Sequence, residues 1–526
     1  MKFSRAILSL ITLIMTAAFV ACGGGGSSSP PPPPPNPALP DGTYVFSLAG
    51  QDASTGGFPC YVAGAFKVKS GTITGGEQDF DDFNVGTVTD NITGGNVTKS
   101  ADGNLRITLT TGDNFVGVNG VETLSGTLVS NTGSKALITE FDASATSSGE
   151  LDLQTTTTAG QGGFAFFVTG ADVNAFPVAM GGVVNVDGSG TISGSGSVFD
   201  INDVGDGILL QSQPIDPSTA SAPDAFGRVQ VSLNLTTSTI GGIVLVGYVV
   251  DNDRIRLVEN NNDPNTTFQA VMGGTAFAQG ANTGSFSAAS IAGSSLVFGT
   301  NGLEPIGFFQ VAGVVSANND LTTVGGTLNF NDLTGVGAQA PIAFAGTYAV
   351  DPTGRVTVQD TTDGFTFEMY LDGNGSGAVV SMDDCTGVAC DVLAGLAYQQ
   401  TGAGSFNAAS FSGSYGLGAT GIDFDGVNSV EVDSVGPVTA DGVGALNGIV
   451  DQNSLSGAPT TNVALTGDFV VDPSGVFTTN NGIKGLDVLI PANQDAFTYY
   501  LIDNQRAVAI ETDPNQLTLG YFELVH

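Results

Sequence analysis

The 526-residue chain has no tryptophan, and its one histidine is the terminal His526. That leaves no place for His-based acid–base catalysis, for triads built on His, or for ordinary zinc sites. Basic residues are scarce: 13 Lys and Arg stand against 50 Asp and Glu, a formal net charge of −37. A chain of that sign does not neutralise phosphates, so nucleic acid is excluded as an ordinary partner. Charged residues make up only 12% of the chain, about half of the usual ~25%, so its surface is largely neutral and polar. Capped helical stripes of apolar residues are also missing. Abundant instead are glycine, 76 residues, and phenylalanine, 32, within an apolar share of 41%. That share is enough to bury cores and separates the chain from acidic disordered sequences.

The start, MKFSRAILSLITLIMTAAFVAC, sets Lys2 and Arg5 before an apolar run ending at Ala21. This is the layout of a secretory signal over 1–21, and its run is shorter than the ~20 residues of a spanning helix. Residues Phe19 to Cys22 resemble the lipobox of a bacterial lipoprotein precursor. The resemblance implies cleavage before Cys22, lipidation of that cysteine, and anchoring of an exported protein at the outer membrane or cell surface. Residues 22–40 form a Gly/Ser/Pro-rich tether whose six consecutive prolines make a stiff spacer of roughly 19 Å.

Beyond the tether the chain repeats. TGSFSAASIAGSS around Phe286 matches AGSFNAASFSGSY around Phe406, 120 positions on, and GTYVFSLAG around Tyr44 matches GGFAFFVTG around Phe164 at the same distance. Four units are expected, over 41–158, 159–281, 282–401 and 402–526. Each carries a Gly-rich stretch leading to an acidic or amide pair: Asp79 and Asp81, Asp200 and Asn202, Asn329 and Asn331, Asp451 and Asn453. A turn then opens an alternating segment, as in FGRVQVSLNL and DPTGRVTVQD, where period two marks half-buried strands. A hairpin with an Asn, Asp or Gly centre closes each unit. The spacing predicts an all-β protein of tandem small antiparallel barrels, up-and-down and lipocalin- or avidin-like in outline, with β-sandwiches as the alternative. The pattern resembles Gly-rich tandem-repeat β lipoproteins of environmental bacteria, a resemblance that brings no activity with it.

Cys385 and Cys390 flank a Gly-containing turn, and export favours a disulfide between them. Cys60 is expected to be a small buried hydrophobe. Asp79, Asp81, Asp200 and Asn202 are candidate calcium ligands, but their spacing misses the known calcium loops and turn chemistry explains them without metal. A carboxylate follows the closing hairpin in three units, Glu140, Glu259 and Glu511, with Met382 at that place in the third. No catalytic residue, metal or cofactor is expected. The chain reads as a lipid-anchored envelope protein with a binding, adhesive or structural role toward a protein, glycan or small molecule. The alternatives are a carrier of small apolar ligands in its barrels and a carboxylate-dependent hydrolase.

Overall fold

A computed structural model describes residues 38–525 apart from 101–102, 113–115, 204–205, 239, 305–306, 334–339, 363, 384–390 and 515. Cys22, Cys385 and Cys390 lie outside the described residues. Four antiparallel sheets follow one another along the chain, spanning 42–153, 162–278, 295–399 and 412–524. No strand is shared between sheets among the described residues. The first two have nine strands and the last two eight, and in each the first strand pairs with the last, as Tyr44↔Leu153, Phe164↔Ala278, Leu296↔Gln399 and Tyr415↔Leu524. The third sheet is a closed barrel. In the first two, one side of the meander bends into two short strands but the circuit still closes. Between its outermost strands the fourth carries the isolated bridges Val470↔Thr478, Thr466↔Lys484 and Ile483↔Asp495. No helix among the described residues is long and apolar enough to cross a membrane.

Alternation sets what each barrel encloses, because successive side chains on a strand point to opposite faces. On Arg228–Leu235, Val229, Leu233 and Leu235 enter the core. The interior of the fourth barrel is aromatic, with Phe411 against Tyr415, Phe469 and Phe522. The two matching SFxAAS segments form short 3-10 turns at Ala288–Ser290 and Ala408–Ser410. They drop Phe286 and Phe406 into the ends of the third and fourth barrels. Each ring rests on the glycine of the DPxG turn of its own barrel. A Cβ on Gly354 would stand 2.9 Å from Phe286, and one on Gly475 2.7 Å from Phe406. Leu39, just before the first strand, is buried in the core of the first barrel.

The outer faces are not left to water. Val45, Ala63 and Ala65 of the first barrel pack on Val246, Tyr248 and Val258 of the second. The second meets the third through Ala179 and Val183 against Tyr370 and Val380. The third meets the fourth through Val297 and Val314 against Tyr500 and Val508. The fourth returns to the first through Val435 against Val129 and Leu137. The four barrels therefore close into a ring, held by four small apolar joints in addition to four barrel cores. Close approach depends on glycine: a Cβ on Gly181 would come within 2.5 Å of the Tyr370 ring.

Candidate functional site

The recurring pairs occupy the joints. Asp79, Asp200, Asn329 and Asp451 lie on strands, not in turns, and all are fully buried. Each points out of its barrel while the residue after it, Phe80 in the first, enters the core. Arg228 of the second barrel donates through Nε and Nη2 to Asp79 of the first, at 2.7 and 2.8 Å, and the Tyr248 hydroxyl donates to the same carboxylate at 2.6 Å. Arg355 of the third barrel donates to Asp200 of the second at 2.8 and 2.7 Å, with Tyr370 as the second donor. Arg106 and Ser125 of the first donate to Asp451 of the fourth at 2.9 and 2.6 Å. In each of these three joints the two donors are cross-strand partners: Arg228↔Tyr248, Arg355↔Tyr370, Arg106↔Ser125.

The joint between the third and fourth barrels uses the same register without charge. Val476 pairs with Tyr500 where the others have an arginine, and the Tyr500 hydroxyl donates to Asn329 at 2.6 Å. Loss of the arginine coincides with replacement of Asp by Asn, which avoids leaving a buried carboxylate without its partner.

The second member of each pair clamps backbone. Asn453 Nδ2 donates to the carbonyls of Glu140 and Ala145 at 2.9 and 2.8 Å, and Asn331 Nδ2 to those of Glu511 and Gln516 at 3.1 and 2.8 Å. Asn202 Nδ2 reaches the Ser381 and Asp391 carbonyls, both at 3.2 Å. Asp81 holds this place in the first barrel and has no amide to give. There the Thr87 hydroxyl takes over, donating to the Glu259 carbonyl at 2.9 Å. Burial raises the Asp81 carboxyl well above the usual carboxylate range. The four candidate calcium ligands are thus parts of inter-barrel joints. The register also corrects one expectation: the residue matching Glu140, Glu259 and Glu511 in the third barrel is Ser381, not Met382, because Leu124↔Glu140, Leu245↔Glu259, Phe367↔Ser381 and Phe497↔Glu511 are the equivalent pairs.

Setting aside Lys2 and Arg5, 11 of the 13 basic residues remain, and seven of these form ion pairs with described residues. Six bridge two barrels: Arg106, Arg228 and Arg355 as above, Lys135 to Glu523, and Arg254 and Arg256 to Asp152. Burial works to raise the neighbouring Glu150 carboxyl, but Lys135, Arg256 and Arg254 around it hold it well below its ordinary value. Between the barrels runs a passage of about 510 Å³ lined by all four, with Tyr61, Phe167, Tyr398 and Tyr521 on its walls.

A different space opens inside the second barrel. It measures about 290 Å³ and is walled by Phe164, Phe166, Val231, Leu233, Leu245 and Leu257, with Thr158–Gln161, Asp187–Gly190 and Ala220–Pro223 at its mouth. Two features of the sequence leave it unfilled. The segment that carries Leu39, Phe286 or Phe406 in the other barrels supplies only Ala159 here. Ring-to-ring contacts within a barrel core, present in the first, third and fourth, do not occur in the second among the described residues. No lysine or arginine lines the space. Asp187 at the mouth is held below its ordinary pKa by hydrogen bonds from Ser189 and Thr191, so the rim is anionic. Cys60 is buried and unpaired within the first core, and burial pushes its thiol up.

No family model matches the chain, and no curated protein matches it. Among solved structures it is similar to a protein of unknown function from the DUF3598 family of Nostoc punctiforme, at 13% identity over 45% of this chain and 97% of that one, with a TM-score of 0.16. Kievitone hydratase from Nectria haematococca matches at 9% identity over 46% of this chain and 90% of that one, TM-score 0.18. Transferrin binding protein B from Haemophilus parasuis matches at 9% identity over 92% of this chain and 76% of that one, TM-score 0.15. At these scores the likenesses carry no argument about what the chain binds or does.

Proposed function

We propose that this protein is an exported, lipid-anchored binding protein of the cell envelope, in which a ring of four barrels presents one of them, the second, as a receptor for a small neutral apolar molecule. The observation that carries the reading is the apolar space of about 290 Å³ in that barrel, beside three barrels whose ends are plugged by Leu39, Phe286 and Phe406. Eight-stranded barrels are wide enough to hold one small ligand when side chains do not fill them. An anionic rim and a lining without cations favour an uncharged ligand over a fatty carboxylate. Anchoring through Cys22 and the proline spacer would hold the ring away from the lipid surface.

The test uses the neutral fluorophore N-phenyl-1-naphthylamine and the full chain. One probe per chain should bind with a blue-shifted, saturable signal. Ala159→Phe, which gives the second barrel the plug the others have, should abolish that signal while leaving the melting temperature at or above the parent value. Equal binding by parent and variant would place the probe elsewhere and refute the assignment.

A further inference from the structure

In the fourth barrel Asp495, Glu511 and Asp513 each bring a carboxylate oxygen to within 4.8 Å of the others. Asp495 and Glu511 are fully buried, and neither oxygen of Asp495 accepts a hydrogen bond. The Thr518 hydroxyl, also buried, hydrogen-bonds to the Glu511 carboxylate. Among the described residues no basic residue faces the cluster: the charged groups around Asp495 are Asp513, Asp487 and Asp423. The arrangement is held in place from the backbone. Phe497↔Glu511 fixes the hairpin, and the Ala496 amide donates to Asp513 at 2.7 Å.

The first barrel carries the same register, Glu122, Glu140 and Asp142, with the Thr123 amide on Asp142 at 3.0 Å. There Glu140 receives the hydroxyls of Ser144 and Ser147, at 3.0 and 3.3 Å. In the second and third barrels Ile243 and Phe365 take the place of Asp495, by the pairings Leu245↔Glu259 and Phe367↔Ser381. Only in the fourth barrel, among the described residues, does the register combine three carboxylates with no pair of serine hydroxyls to satisfy the glutamate.

We infer that Asp495, Glu511 and Asp513, with Thr518 beside them, form a calcium site at the joint of the third and fourth barrels. Calcium takes hard oxygen ligands at 2.3–2.6 Å, so two oxygens on one ion stand at most about 5 Å apart. The observed spacing meets that limit. The Asn331 amide already clamps the carbonyls of Glu511 and Gln516, so an ion here would stiffen the one joint that has no arginine. The inference is independent of the apolar ligand.

The full chain, purified in detergent and freed of metal by chelator, is titrated with calcium by calorimetry and melted with and without it. One saturable site should appear, with a Kd no weaker than about 1 mM, and its occupation should raise the melting temperature. Asp495→Asn and Glu511→Gln should each weaken uptake at least tenfold. Their chelated melting temperatures should equal or exceed that of the parent, because each relieves the crowding of buried carboxyl groups that have no basic partner. Glu140→Gln should leave calcium uptake unchanged. No saturable uptake by the parent below about 10 mM, or equal uptake by Asp495→Asn, would overturn the site.

Discussion

Replacing Asp79 by asparagine in the first joint copies half of the change that the third joint already contains. Asp79 is fully buried and meets Arg228 through two hydrogen bonds. Breaking a buried pair by removing one partner costs about 3–5 kcal/mol. The Arg228 side chain keeps 22% exposure and can recover some hydration, which puts Asp79→Asn near about 3 kcal/mol. Arg228→Val leaves the better-buried partner uncompensated and should cost about 3–5 kcal/mol. The double variant rebuilds the arrangement of Asn329, Val476 and Tyr500, with Tyr248 still donating to an amide oxygen. It should stand within about 1 kcal/mol of the parent, a coupling of several kcal/mol between the two positions. The assay is urea denaturation of the full chain, followed by tyrosine fluorescence and circular dichroism. A cost below about 0.5 kcal/mol for Asp79→Asn, or a double variant whose loss equals the sum of the singles, would refute the view that these pairs hold the ring.

Further outcomes follow from the same geometry. Asp81→Asn supplies the amide that the other three barrels use and should stabilise the first joint by about 1–3 kcal/mol near neutral pH. Because burial raises the folded pKa of Asp81, its stabilising contribution is complete below the ordinary carboxylate range and is lost as pH rises above it. The gain from the asparagine should therefore grow with pH, and a gain that shrinks with pH would contradict the assignment. Cys22→Ser should abolish fatty-acid labelling and detergent-phase partitioning of the exported protein; labelling that persists would remove the lipid anchor.

The barrels themselves are legible in the sequence because period-two alternation and hairpin turns are local signals. Alternation alone assigns Val229, Leu233 and Leu235 to one buried face, and that face is the core of the second barrel. The joints are not legible in this way, because alternation separates inward from outward but does not say whether outward means water. Asp79, Asp200 and Asp451 therefore resemble turn chemistry, although they lie on strands and face another barrel. A usable signal is present: Arg228, Arg355 and Val476 directly follow the turn glycine in three units and Arg106 stands three residues past Gly103 in the first, and the acid facing this position is replaced by Asn329 only where it is Val476. The shift from Met382 to Ser381 has a similar origin, since hairpin register depends on pairing and not on the distance from the turn. For the open second barrel the sequence signal is Ala159, which stands where Leu39, Phe286 and Phe406 close the others.

The claim that matters most is that the second barrel is a receptor, and the measurement closest to it is the mass spectrum of an organic extract of the full chain purified from its own envelope. The account predicts a neutral, mostly hydrocarbon molecule in near one-to-one ratio with the parent chain and absent from Ala159→Phe prepared in parallel. The same compounds in the same amounts from both proteins would contradict it.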